Sequence, residues 1–279
     1  MFAGNKRDFS DSETGIIEMV AGRVAAELER EMLWHEGASA AVAVKEIAAA
    51  QRMQRSQLPT ISPMLDGWDL AGWTEQAGPL GGDFHDWFSL PDGLLAVAVG
   101  HAMEQGVTAA LVSSSLKSAL RAHGPYFREA QQTLKRLNLT LWTGSAGDQH
   151  ASLMYALVET ATGRVCASSA GRVAAVMMRR NHWERLSFPT SQLGAGPETD
   201  YEQFGYEMER GDCLILASEG VFGPNNGGVR GCEVEIAQTL IKKLHLPAAD
   251  LAAALRKFWC NPARGQAARD RTALVLKRR

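Results

Sequence analysis

The apolar rhythm of this chain changes once, at Leu58-Pro59, and that change constrains the fold more than any single motif. Ahead of it, Ile17, Val20, Val24, Leu28 and Met32 recur at helical spacing, with Glu27, Glu29, Arg30 and Glu31 mostly on other faces. Ser10-Asp11-Ser12-Glu13 reads as a capping box that starts this helix, and a second, alanine-rich helix is expected after Gly37, from about Ala40 to Gln57. Neither helix can form a core alone, so the stripe predicts a partner surface, either the following domain or a second copy of the chain.

Beyond Pro59 short strands take over: Trp68 to Trp73, Leu94 to Val99, Leu153 to Glu159, Val165 to Ser169, Ala174 to Arg179, Cys213 to Ala217 and Thr272 to Lys277. Asp92-Gly93 and Thr162-Gly163 are hairpin dipeptides. Helices fit from Gln105 to His123, Tyr126 to Trp142, Glu233 to Leu244 and Ala248 to Trp259. Strands in hairpins with helices grouped between them predict an α+β layered sandwich, not alternating βαβ units. The expected division is a helical linker over 1–58 and one domain over 59–279.

Charge excludes some functions. Lys and Arg (29) nearly balance Asp and Glu (31), so no broad basic field draws the chain to nucleic acid or to an anionic membrane. Cys166, Cys213, Cys232 and Cys260 stand apart with no Cys-x-x-Cys pair, which argues against structural zinc and suits a reducing compartment. The first residues carry no apolar signal segment, and no apolar run reaches the ~18 residues of a membrane span, so the expected location is cytoplasmic.

The chemistry-bearing stretch is Gly81-Gly82-Asp83-Phe84, with Asp86 close behind. Glycines allow a turn and close backbone approach, and the aspartate offers a hard oxygen ligand for a divalent cation. Asp83 and Asp86 also read as flanking a tight turn and accepting its amides, and His85 between them as a surface strand residue.

Several segments together resemble the SpoIIE-type (RsbU-like) branch of the metal-dependent type 2C protein phosphatases, from about Ala48 onward. Gln51 to Pro59 is similar to the helix end before that domain, Gly78 to Phe88 to its first metal motif, and Leu95 to Leu111 to its second strand, metal turn and helix. Ser168 to Arg172 resembles an alanine-glycine-histidine stretch, and Gln192-Leu193-Gly194 a proline-leucine-glycine. Gly211 to Val221 resembles a strand with a threonine-aspartate-glycine turn, and Asp270 to Leu276 the closing strand. The resemblance implies a sandwich of two antiparallel sheets flanked by helices. Arg7-Asp8-Phe9-Ser10 and the run to Leu33 resemble the exit helix of a GAF sensory domain.

In that family two divalent cations, manganese or magnesium, lie about 3.5–4 Å apart and activate a water against phosphoserine or phosphothreonine. By resemblance Asp83 would bridge the metals and Phe84 would lend its carbonyl. The other three family aspartates fall on His101, Glu219 and Arg269, and the neighbouring Asp270 is retained. Asp83, neutral His101, Glu219 and Arg269 sum to −1 where the family's four carboxylates give −4. At an effective dielectric near 20, a guanidinium about 4 Å from a dication is repelled by roughly 8 kcal/mol.

His101 therefore reads as a strand-end histidine bonded to a backbone carbonyl ahead of a metal ligand, and Glu219 as the ion-pair partner of Arg269. Asp83, Phe84, Glu219 and Asp270 are the residual metal candidates, for manganese or magnesium if the site is filled. Arg269 is the candidate for bidentate phosphate contact.

The resulting expectation is a pseudophosphatase that binds a phosphorylatable protein. The family implies STAS-type anti-sigma antagonists or serine-kinase anti-sigma factors as partners. An active phosphatase with an atypical metal site, and a helical dimerisation module, remain as alternatives.

Overall fold

The computed structural model describes residues 10–180, 182–186, 190–221, 228–260 and 269–279. The chain divides into two compact units, Met1–Ala50 and Gln51–Arg279. The two helices expected around Gly37 are one: α1 runs unbroken over Asp11–Ser56. A lone glycine inside a helix costs only about 1 kcal/mol relative to alanine. Gly37 keeps a negative φ with open space where a Cβ would stand, so nothing there forces a break. Val20, Val24, Leu28 and Met32 are all more than half exposed along this helix. Arg7-Asp8-Phe9 of the GAF-like stretch lies outside the described residues.

The second unit is built on strands β1 (Trp68–Glu75), β2 (Asp83–Leu90), β3 (Leu94–Ala102), β4 (Ala151–Glu159), β5 (Arg164–Ala170), β6 (Ala174–Arg179), β7 (His182–Arg185), β8 (Gln203–Glu207), β9 (Cys213–Ala217) and β10 (Arg271–Arg278). One sheet runs β1-β10-β9-β6-β7 and the other β2-β3-β4-β5-β8. All pairings between these strands are antiparallel. Helices α2 (Gly106–His123) and α3 (Ala130–Thr143) separate β3 from β4 in the chain. Helices α4 (Gly228–Leu240) and α5 (Ala248–Trp259) fall between β9 and β10.

Alternation along the strands builds the layers. Trp87, Val97, Val99, Leu214, Leu216, Leu274 and Leu276 meet between the sheets. Ile215, Val275 and Val176 turn the other way and pack under Ile236, Leu240, Leu251 and Leu255 of α4 and α5. Ala96, Ala98, Leu153 and Tyr155 pack under Leu116, Leu120, Leu134 and Leu137 of α2 and α3. The result is helix, sheet, sheet, helix, as the strand and helix grouping predicts. Both faces of each sheet are covered, which explains apolar runs as continuous as Cys213-Leu214-Ile215-Leu216-Ala217.

Asp92-Gly93 closes β2 onto β3 within the three-residue loop Pro91–Gly93, with both residues at positive φ, 61° and 71°. Three strands depart from the sequence reading. The aspartate motif is itself strand β2, so Asp83 and Asp86 lie within a ladder and do not flank a turn. The additional β7 and β8 are edge strands of four and five residues with little buried surface.

Candidate functional site

The site forms where the ends of the two sheets come together. Antiparallel register sets Asp83 opposite His101 and His101 opposite Ser152, a row across β2, β3 and β4 with all three side chains on one face. Beyond β5, the Arg172 amide donates to Ser152 Oγ at 3.1 Å, which ties the next turn to the same row. From the other sheet, β9 ends at Ala217 and hands Ser218 and Glu219 to the site, the latter opening a single helical turn, Glu219–Val221. Ser218 is held against β10: its amide donates to Thr272 O, and its Oγ accepts from the Thr272 amide, both at 3.0 Å.

Asp83 is buried, and both its oxygens are engaged. His101 Nδ1 lies 2.5 Å from Oδ1, and Ser218 Oγ donates to Oδ2 at 2.5 Å. Burial alone would lower the His101 pKa and is the largest single influence on it. The hydrogen bond and charge of Asp83, joined by the charges of Glu219 and Asp270, outweigh it, and the net direction is upward. The sequence expectation of a carbonyl partner for His101 is thus corrected, because register places a carboxylate directly across the ladder.

Glu219 Oε1 pairs with Arg172 at 2.7 Å, not with Arg269 as expected. Its Oε2 is buried without a hydrogen-bond partner. Arg269 is exposed. The physical reason is placement: the turn after β5 and the turn after β9 converge, while Arg269 sits outside, before β10.

Asp270 has a backbone role. Its Oδ1 accepts from the Ala77 amide at 2.8 Å and its Oδ2 from the Gly82 amide at 2.6 Å. A Cβ on Gly81 would run into that carboxylate, so the first glycine of the motif makes room for Asp270. Gln54, from the last turn of α1, grips the same turn. Its Nε2 donates to Gly81 O at 2.5 Å and its Oε1 accepts from the Gly81 amide at 3.2 Å. Phe84 is buried with its ring beside Gly100, the residue opposite it on β3.

His85 is buried, with Nδ1 2.9 Å from Thr74 Oγ1 on β1. Its ring fits because Gly72 leaves the space a Cβ would fill. Burial, with a smaller effect from Lys117, lowers its pKa to about 3, so this imidazole stays neutral. Asp86 faces α2 and is held by Arg121 through two hydrogen bonds of 2.7 and 2.6 Å.

The donors as placed do not fit a pair of dications. Asp83 is engaged at both oxygens by His101 and Ser218, Asp270 at both by two amides, and Glu219 at one oxygen by the Arg172 guanidinium. Among the described residues no three His, Cys, Asp or Glu side chains are grouped to hold a metal ion. Arg172 and Ser218 are the site residues that sequence reasoning missed. A signal existed for the first: Ala170-Gly171-Arg172 sets an arginine where the resembled motif has histidine.

A family model described as Stage II sporulation protein E (SpoIIE) matches residues 91–279, well over half the chain. The chain belongs to the SpoIIE family. Phosphoserine phosphatase RsbU of Bacillus subtilis is 25% identical over 178 residues, 63% of this chain and 53% of RsbU. Protein IcfG of Synechocystis is 34% identical over 76 residues, 27% of this chain and 12% of IcfG. This chain therefore spans about half the length of RsbU and less of IcfG.

Among solved structures, the SiaA-PP2C domain of Pseudomonas aeruginosa superimposes with a TM-score of 0.71 at 18% identity, covering 86% of this chain and 98% of that one. The RsbU and RsbW domains of a Mycobacterium tuberculosis protein give 0.67 at 22% identity, covering 78% and 61%. These likenesses confirm the fold, the type 2C phosphatase sandwich of two antiparallel sheets between helices. Among the described residues of this SpoIIE-family chain, no helix is long and apolar enough to cross a membrane.

Proposed function

We propose that this SpoIIE-family chain is a regulatory pseudophosphatase in serine/threonine phosphorylation signalling of the partner-switching kind. Its partner is a phosphorylatable protein, a STAS-type anti-sigma antagonist or a serine-kinase anti-sigma factor. One observation carries the reading: protein groups already neutralise the carboxylates that a two-metal reaction needs, His101 and Ser218 on Asp83 and Arg172 on Glu219. A buried acid paired with a guanidinium is a poor ligand for a dication, because the metal must first displace a charge-assisted bond.

The test is a restoration series. His101→Asp, Glu219→Asp and Arg269→Asp are combined singly, pairwise and together, and phosphate release from a generic monoester is followed with manganese. Turnover gained only in the triple variant supports the reading; turnover by the unaltered chain overturns it.

A second reading is an active phosphatase with an atypical metal site built from Asp83, His101, Glu219 and Asp270. It is favoured by the fact that the charges of Asp83, Glu219 and Asp270 all act on His101. Stabilisation by manganese, magnesium or zinc that a chelator reverses, together with turnover, would select it. A homodimer through Val20, Val24, Leu28 and Met32 is compatible with either, since that stripe is exposed. Sedimentation of the whole chain beside one beginning at Gln57 tests it.

A further inference from the structure

We infer that Arg172, not Arg269, is the residue that reads a phosphoseryl group in this cleft, and that Glu219 holds its guanidinium until such a group arrives. The inference rests on the pseudophosphatase reading and assigns the recognition residue of that same site.

The turn that carries Arg172 is fixed. Gly171 adopts a φ of +70°, and its amide donates to Ser191 O at 3.0 Å and to Thr190 Oγ1 at 3.1 Å. The Arg172 amide is tied to Ser152, directly across the ladder from His101. A side chain launched from such a turn is aimed by the scaffold, and what remains free is its head.

That head is a partly used fork. A guanidinium carries five donors, and the ion pair of Arg172 is to the single oxygen Glu219 Oε1, at 2.7 Å. The Arg172 side chain is 53% exposed and Glu219 only 12%, so the cation lies at the mouth with the acid behind it. Glu219 Oε2 is buried and unpartnered, so this carboxylate is incompletely satisfied where it sits. A phosphoseryl group brings about −1.5 to −2 charges and three acceptor oxygens, and it can take two guanidinium donors at once where Glu219 takes one. Asp83 is covered by His101 and Ser218, which leaves Glu219 as the acid that competes with the phosphate for this guanidinium. Arg269 is exposed and is not the partner of Glu219.

The probe is a capped phosphoserine, N-acetyl-O-phosphoserine N-methylamide, titrated calorimetrically into the whole chain beside its unphosphorylated counterpart. The expected result is a clear preference for the phosphorylated form, lost at least tenfold in Arg172→Ala and partly kept in Arg172→Lys, which retains charge without the fork. Arg269→Ala should stay within twofold of the unaltered chain. Glu219→Gln should bind at least threefold tighter, because the internal competitor loses its charge.

Melting curves identify any variant that fails to fold, and Arg172→Lys and Glu219→Gln carry the test if Arg172→Ala does. A preference that survives in Arg172→Ala and disappears in Arg269→Ala overturns this assignment and leaves the broader reading standing. Weaker binding by Glu219→Gln also overturns it. Equal binding of both forms by the unaltered chain removes the broader reading and this inference together.

Discussion

Asp83 and Asp86 stand three residues apart on β2, are equally buried, and face opposite sides of the sheet. Asp86 turns toward α2 and meets Arg121 in a two-bond fork, with Lys117 Nζ 3.9 Å away. Asp83 turns toward the other sheet and meets an imidazole and a hydroxyl. The first acid is neutralised by a guanidinium that never gives up its proton; the second by a group that titrates and one that carries no charge. The difference separates a fixed structural pair from a rearrangeable site.

The comparison can be broken by experiment, and the largest effect should come from Asp86. Asp86→Asn leaves Arg121 and the buried Lys117 without their counter-charge, which costs about 4 kcal/mol in urea unfolding. Next comes acid, through His85 on the Asp83 face. Its folded pKa is about 3 against 6.5 unfolded, so below 6.5 the unfolded chain takes up a proton that the folded chain refuses. Stability is full above 6.5 and falls by about 1.4 kcal/mol per pH unit as the solution is acidified, about 3 kcal/mol by pH 4. His85→Gln should flatten this dependence in denaturant melts between pH 7 and 4.

Asp83→Asn should cost only about 1 kcal/mol, because His101 can release its proton and Ser218 keeps an amide partner on Thr272. A cost equal to that of Asp86→Asn would end the distinction. The smallest effect belongs to His101. Its folded pKa is raised, so its contribution is complete below 6.5 and is lost as pH rises through the folded value. His101→Gln should remove a shallow alkaline decline in melting temperature between pH 6 and 9.

Legibility in the sequence followed burial. Ala174–Arg179, Cys213–Ala217 and Ala248–Trp259 were readable to the residue, because each is an apolar run or stripe that packs on a core and ends at turn residues. β7 and β8 were not, since strands of four and five residues at the sheet edges bury little and offer few apolar positions to read. Gly37 misleads for the opposite reason: its low helix propensity reads as a break, although its cost is within what a long helix tolerates. At the site, Asp83, His101 and Glu219 were found by their motifs. The partners Ser218 and Arg172 were not, because Asp83 and Ser218, like Arg172 and Glu219, are far apart in the chain and meet only when the ends of two sheets converge.

Sequence by itself determined the layered α+β class, since short apolar strands and helical stripes are properties of residue pattern, and its hairpin dipeptides joined β2 to β3 and β4 to β5. It also supplied the expectation that Asp83, His101, Glu219 and Arg269 carry less negative charge than four aspartates, because charge is a property of residue identity. Tertiary structure alone decided which cation meets which acid. An ion pair depends on separation in space, and the turns that carry Arg172 and Glu219 come from strands of different sheets.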